Sequence, residues 1–142
     1  MIGADHAGYD LKEVLLKTLT EKGITWEDLG TYDHQSVDYP DYAFKVAQAI
    51  SFGRAARGVL ICGTGIGMSI AANRIPGIRA ALCNDLFTAR MARSHNNANI
   101  LTLGSRVVGS GLAQAILQTF LETPFEKGRH QRRIKKMEGG CR

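Results

Sequence analysis

Short runs of β-branched or apolar residues alternate along the chain with longer stretches whose apolar positions recur at helical spacing. The runs Met1–Ala4, Ile24–Leu29, Gly58–Cys62, Ala80–Cys83 and Ile100–Leu103 predict five strands. Between them, Leu11, Val14, Leu15 and Leu19, and then Ala43, Val46, Ala47 and Ile50, mark the buried faces of helices. A further helical pattern runs from Gly111 to Leu121 through Leu112, Ala115, Ile116, Leu117 and Phe120, and Pro124 ends it. Strand and helix alternating in this way predict an α/β fold: a three-layer α/β/α sandwich around a five-stranded parallel, Rossmann-like sheet. At 142 residues with 44% hydrophobic content, the chain suits a single domain over residues 1–142. It shows no internal repeat.

Open parallel sheets bind ligands beyond the carboxyl ends of their strands. The chemically distinctive residues cluster there: Asp5-His6 after the first strand, Asp38-Tyr39-Pro40 after the second, Cys62-Gly63-Thr64-Gly65 after the third and Asn84-Asp85 after the fourth. The polar segment Ser94-His95-Asn96-Asn97-Ala98-Asn99 follows a helix, so His95 alone reads as a helix C-terminal cap; expected at the same edge as Asp5 and His6, it would instead make with them an acid/base set for opening a sugar ring.

The strongest local signal is the buried-strand pattern Val59–Cys62 running into Gly63-Thr64-Gly65-Ile66-Gly67 and a helix start. Three glycines let backbone N–H groups converge, and a helix amino end adds positive potential, so the loop suits a phosphate or a developing oxyanion. The bland alternative is a tight strand-to-helix turn. A nucleotide P-loop is excluded because the loop has no lysine. The dinucleotide fingerprint fits poorly, since Ile70 stands where its third small residue belongs, although Asp85 lies near the position of a ribose-binding acid.

Cys62 at the strand end is a candidate base, because neighbouring N–H dipoles favour thiolate. Position alone also admits a small buried hydrophobe. Cys83 lacks the glycine loop and reads as such a hydrophobe, while Cys141 reads as an inert tail thiol. Three cysteines without paired spacing give neither a disulfide frame nor a zinc motif, and no His-x-x-x-His spacing implies a metal.

The formal charge of +5 is concentrated at the end: residues 127–142 carry seven basic side chains and one acidic, against eleven and twelve before them. A near-neutral body without a basic stripe argues against nucleic acid as the partner. Lys135, Lys136 and Arg142 read as a solvated end. Arg129 and Arg133, four apart, share one face if the tail is helical, and with Arg106 after the last strand they offer forks for a phosphate. On the residues alone, a solvated pair is the ordinary reading. No apolar run approaches the roughly 20 residues of a membrane helix, and no signal-peptide pattern opens the chain, so a soluble cytoplasmic protein is expected.

Taken together, these residues resemble one family. The segments Gly3–Tyr9, Ser36–Tyr42, Cys62–Gly67, Ala71–Asn73, Gly77–Ala81, His95–Asn99 and Gly128–His130 are similar to type B ribose-5-phosphate isomerase, in the family that also holds galactose-6-phosphate isomerase subunits. The resemblance covers nearly the whole chain. It implies an aldose-ketose isomerase in which Cys62 moves the proton between adjacent sugar carbons. Gly63, Gly65, Ile66 and Gly67 would stabilise the enediolate by their N–H groups, with Thr64 adding its hydroxyl. His95, assisted by Asp5, would protonate the ring oxygen, and Asn96 would hold sugar hydroxyls. His6, Arg106, Arg129 and Arg133 would clamp the phosphate. No cofactor is implied.

The resemblance further implies sites shared between two subunits of a homodimer, or of a tetramer, with the basic tail from about Lys127 entering the phosphate site. Some relatives place a glutamate at the position of Met68 and lack the cysteine, so Cys62 indicates the cysteine-dependent subgroup. The complete His95-Asn96 and Gly128-Arg129-His130 patterns favour a five-carbon substrate. Two departures stand: the first strand lies nearer the start than usual, and Lys127 replaces a common glycine. An isomerase of a six-carbon phosphate such as allose 6-phosphate is the nearest alternative, followed by a non-catalytic phosphosugar-binding protein.

Overall fold

The computed structural model describes residues 1–140; Cys141 and Arg142 lie outside the described residues. In chain order the elements are β1 (Ile2–Ala4), α1 (Tyr9–Glu21), α2 (Tyr39–Ser51), β2 (Gly58–Cys62), α3 (Ile66–Ala72), β3 (Ala80–Leu82), α4 (Leu86–Ser94), β4 (Ile100–Gly104), α5 (Ser110–Glu122) and α6 (Arg129–Glu138). The strands form a parallel sheet in the order β1-β2-β4-β3. Gly58 pairs with Ile100 at one end of the central pair and Cys62 with Gly104 at the other.

Side chains alternate across the pleat, and both faces are apolar because helices cover both. Val59, Ile61, Leu101 and Leu103 meet α1, α4 and α5 in one core, while Leu60, Cys62 and Ile100 meet α2 and α3 in the other. The three-layer α/β sandwich is therefore as the sequence predicts.

The sheet differs in one element. Four strands are paired among the described residues, and Ile24–Leu29 is not a fifth regular strand. Residues 27–31 run beside β1 and share backbone hydrogen bonds with it: Ile2 N–H to Glu27 C=O at 3.0 Å, Leu29 N–H to Ile2 C=O at 2.9 Å, Ala4 N–H to Gly30 C=O at 2.6 Å and Thr31 N–H to Ala4 C=O at 2.7 Å. They make only one regular bridge, Ile2 to Asp28. The regular pairing breaks at Gly30, whose φ is +94°. Glu27 turns out to pair with Arg54, and Asp28 turns in to a wholly buried Lys12, whose ammonium also lies 5.4 Å and 5.2 Å from the Tyr9 and Tyr32 ring centres. That buried ion pair ties the segment to α1 as well.

β3 is the sheet's edge strand, and an asparagine blunts it. The Asn73 amide accepts from Ala80 N–H at 2.8 Å and donates to Ala80 C=O at 2.8 Å, replacing the strand that is missing there. Residues Arg129–Glu138 of the basic tail form α6: His130 and Ile134 are its buried face, Lys135 and Lys136 are solvated as expected, and Arg79 pairs with Glu138 near its end. No described helix is long and apolar enough to cross a membrane.

Candidate active site

The carboxyl end of β2 carries the first group of candidates. Cys62 is the last residue of the strand, and its side chain is buried on the α2/α3 face. Its Sγ accepts the Gly65 N–H at 3.1 Å. Only glycine fits at Gly65: φ is +77°, and a Cβ there would lie 2.6 Å from a Leu82 methyl and 2.8 Å from the Leu103 carbonyl carbon. Thr64 accepts the Ile66 N–H at 3.3 Å, and β4 closes directly under this loop because Gly104 has no side chain to strike Thr64. Ile66 and Gly67 open α3, with the Tyr39 ring set against Gly67 so closely that a Cβ would fall 2.6 Å from it.

The neighbouring strand ends bring their loops alongside. Asp5 donates its N–H to Ile61 C=O at 3.1 Å, and its buried carboxylate accepts the Gly8 N–H at 2.9 Å. The next residue, His6, accepts the Val37 N–H on Nδ1 at 3.2 Å, so a neutral ring carries its proton on Nε2 and presents a donor. Arg106 donates its N–H to Gly63 C=O at 3.0 Å and lays its guanidinium against Gly63. Asp5, His6, Cys62, Gly63, Thr64, Gly65, Ile66, Gly67 and Arg106 thus occupy one edge of one chain.

His95 does not join them, which corrects the expectation that the Ser94–Asn99 segment shares their edge. α4 runs back antiparallel to β3, so its C-terminal residues return to the amino edge of the sheet; His95 is the cap of that helix. Asn99 sits immediately before β4, and its C=O accepts the N–H of Gly58, the first residue of β2. Five residue steps of strand separate Asn99 from Gly104, roughly 16 Å at the usual rise.

The second group gathers at that amino edge. The His95 and His130 rings stack 4.2 Å apart and 8° from parallel. Glu126 Oε2 lies 3.9 Å from His95 Nε2 and 3.8 Å from His130 Nε2, and the Glu126 N–H donates to Ser94 C=O at 3.0 Å, fastening the tail to α4. Burial, together with the nearby charges of His95, Arg129 and Arg133, holds the His130 imidazole below its ordinary range; Glu126 opposes this. Arg129 and Arg133 share a face of α6, as four-residue spacing requires. Asn96 lies beside them, its C=O taken by Arg79 Nε at 3.1 Å.

Two asparagines of the same segment are structural. Asn97 adopts φ +45° and accepts from Arg93, and the Asn99 amide bonds Arg79 N–H and Gly77 C=O. Cys83 is buried, with its thiol pushed up to about 11 by burial, a smaller contribution from Asp85 acting in the same direction and Thr88 acting against it. Glu126 is not among the residues that the sequence singles out for the site, because its neighbours come from distant segments; Tyr39 is, in Asp38-Tyr39-Pro40.

Comparison with known proteins places this arrangement. Residues 1–137 match the family described as ribose/galactose isomerase. Ribose-5-phosphate isomerase B of Escherichia coli strain K12 is 46% identical over 132 residues, 93% of this chain and 89% of that one. D-erythrulose-4-phosphate isomerase of Pectobacterium atrosepticum is 45% identical, covering 96% of this chain and 90% of its own. A solved structure of a ribose 5-phosphate isomerase from Thermotoga maritima superposes with a TM-score of 0.95 at 59% identity, covering 97% of this chain and 95% of that one.

Proposed function

The chain belongs to the ribose/galactose isomerase family, and we propose that it interconverts ribose 5-phosphate and ribulose 5-phosphate through an enediolate with Cys62 as the base. One observation carries this reading: a buried thiol at a strand end with its sulfur 3.1 Å from a loop N–H. With a sugar carbonyl over that loop, Sγ takes the proton from the carbon beside it and returns it to the former carbonyl carbon, while the hydroxyl proton passes from the oxygen of the first carbon to that of the second. The N–H groups of residues 63–67 and the Thr64 hydroxyl stabilise the oxyanion that develops between the two transfers. His6, donating from Nε2, and Arg106 hold the phosphate. Proton transfer between adjacent carbons leaves the sugar at the same overall oxidation level, so no cofactor is called for.

The remaining groups come from a second copy. Within one chain the strand length keeps His95, Asn96, Arg129 and Arg133 at the opposite edge from Cys62, beyond the reach of a sugar phosphate. In a homodimer, the partner's amino edge would cover the Cys62 loop. His95 would then protonate the ring oxygen with Asp5 across the interface, Asn96 would hold hydroxyls, and the basic segment from Lys127 would close over the phosphate. The exposed Ile66 and Ile70, one turn apart on α3 beside the loop, suit such burial. A tetramer would be a pair of these dimers.

The test is conversion of ribose 5-phosphate by the wild type and by Cys62→Ala, with allose 6-phosphate and D-erythrulose 4-phosphate in parallel. The reading predicts that the five-carbon sugar turns over fastest and that the variant loses the reaction. Turnover confined to another sugar would move the substrate, as the Pectobacterium relative illustrates. Tight binding without turnover of any of them would mean a phosphosugar-binding protein.

A further inference from the structure

The turn carrying His95 and Asn96 joins α4 to β4, and two arginines hold it. Arg93 holds it from within: 6% exposed and lying over the Phe120 ring, it donates to the Asn97 side-chain oxygen at 3.0 Å and to Ala98 C=O at 2.5 Å. Arg79 stands just before β3, with its side chain 20% exposed. We propose that Arg79 is a positioning residue for the reaction, setting His95, Asn96 and α6 together as one half-site.

Its bonds reach three segments. The Arg79 N–H donates to the Asn99 side-chain oxygen at 2.8 Å, and its C=O accepts the Asn99 N–H at 3.1 Å. Its Nε–H is shared between the carbonyls of Asn96 and Asn97, each at 3.1 Å. Nη1 then pairs with Glu138, the last residue of α6. The turn needs such bracing because Asn97 sits at φ +45°, a left-handed conformation that persists where surrounding bonds over-determine it. The pair with Glu138 joins the turn to the helix that carries Arg129 and Arg133. Lysine could keep the charge opposite Glu138, but it has no Nε–H to place between two carbonyls while its head reaches the carboxylate. Arg79→Lys therefore separates the two ties.

The brace rests on these bonds alone; its effect on turnover rests also on the roles proposed for His95 and Asn96 in a shared site. The full-length protein is compared with Arg79→Lys, Arg79→Ala and Glu138→Gln by hydrogen exchange and by ribose 5-phosphate turnover. Both Arg79 variants should lose about tenfold or more of the amide protection at residues 95–99, with unchanged circular dichroism, while Glu138→Gln loosens only the end of α6. In both Arg79 variants kcat/KM should fall about tenfold to a hundredfold, as misplaced groups make it do. Refolded with Cys62→Ala, Arg79→Ala should recover towards about one quarter of wild-type activity. Refolded with His95→Ala it should recover nothing, because both chains then bring a damaged amino edge. A defect in overall stability would not sort its partners in this way. Unchanged protection in Arg79→Lys overturns the brace. Recovery with His95→Ala, or with neither partner where Cys62→Ala and His95→Ala complement each other, overturns its place in that half-site. Lost protection with full turnover keeps the brace and refutes the roles of His95 and Asn96. A wild type that does not turn over ribose 5-phosphate refutes the proposed function, and exchange alone then decides the brace.

Discussion

Two buried cysteines at strand ends differ in what surrounds the sulfur. Cys62 receives an N–H from its loop, whereas Cys83 is desolvated and has Asp85 nearby, which raises its thiol to about 11. At pH 7.5 Cys83 is therefore neutral and poorly nucleophilic. Alkylation of the folded protein followed by peptide mass spectrometry should leave Cys83 unmodified, and Cys83→Ala should keep activity within about twofold, since surrounding packing rather than chemistry uses that residue. Cys62→Ala should keep the fold and lose roughly a thousandfold or more in turnover, within the range that a positioned base supplies. The sequence made the glycine loop and its cysteine legible because strand, turn and helix start are contiguous. Glu126 beside two histidines was not, because that contact depends on where α6 docks.

At the scale of elements, the α/β alternation could be read from periodicity, and the strand-end position of Cys62 followed from it. The apolar ends of Ile24–Leu29 predicted a strand, and the segment does hydrogen-bond along β1, but the left-handed turn at Gly30 that breaks its regular pairing is displayed by no local pattern. His95 was misplaced for a related reason: a segment between helix and strand was assigned to the ligand edge, although a helix that follows a parallel strand must return to the amino edge.

Two elements yield measurable expectations. Asn73→Ala uncovers the Ala80 N–H and leaves its C=O to the Ser69 hydroxyl, and should cost about 1 kcal/mol in chemical denaturation. The docking of α6 should depend on acidity through His130. Its docked imidazole titrates below the ordinary range, so docking stability is fully present above that range, where both states are neutral. As pH falls through it, the undocked state takes up a proton more readily, and docking stability is lost. Protection of the α6 amides, taken relative to their intrinsic exchange rates, should fall between about pH 7 and 5, and His130→Asn should flatten that dependence.

For the whole molecule, the separation of the two groups of residues by a strand's length decides the account. The proposed ring opening and the closure over the phosphate need His95, Asn96 and two arginines that the chain holds at the edge opposite its own Cys62 loop. On the proposed reading the active unit contains at least two copies, with each site drawing one half from each chain. The most direct measurement is complementation between Cys62→Ala and His95→Ala, refolded together and assayed with ribose 5-phosphate. Each variant alone should be nearly inactive. Random pairing makes half the dimers mixed, and each mixed dimer keeps one intact site of two, so the mixture should recover about one quarter of wild-type activity. A mixture no more active than its parents, with mixed dimers demonstrated by mass spectrometry, would contradict a shared site.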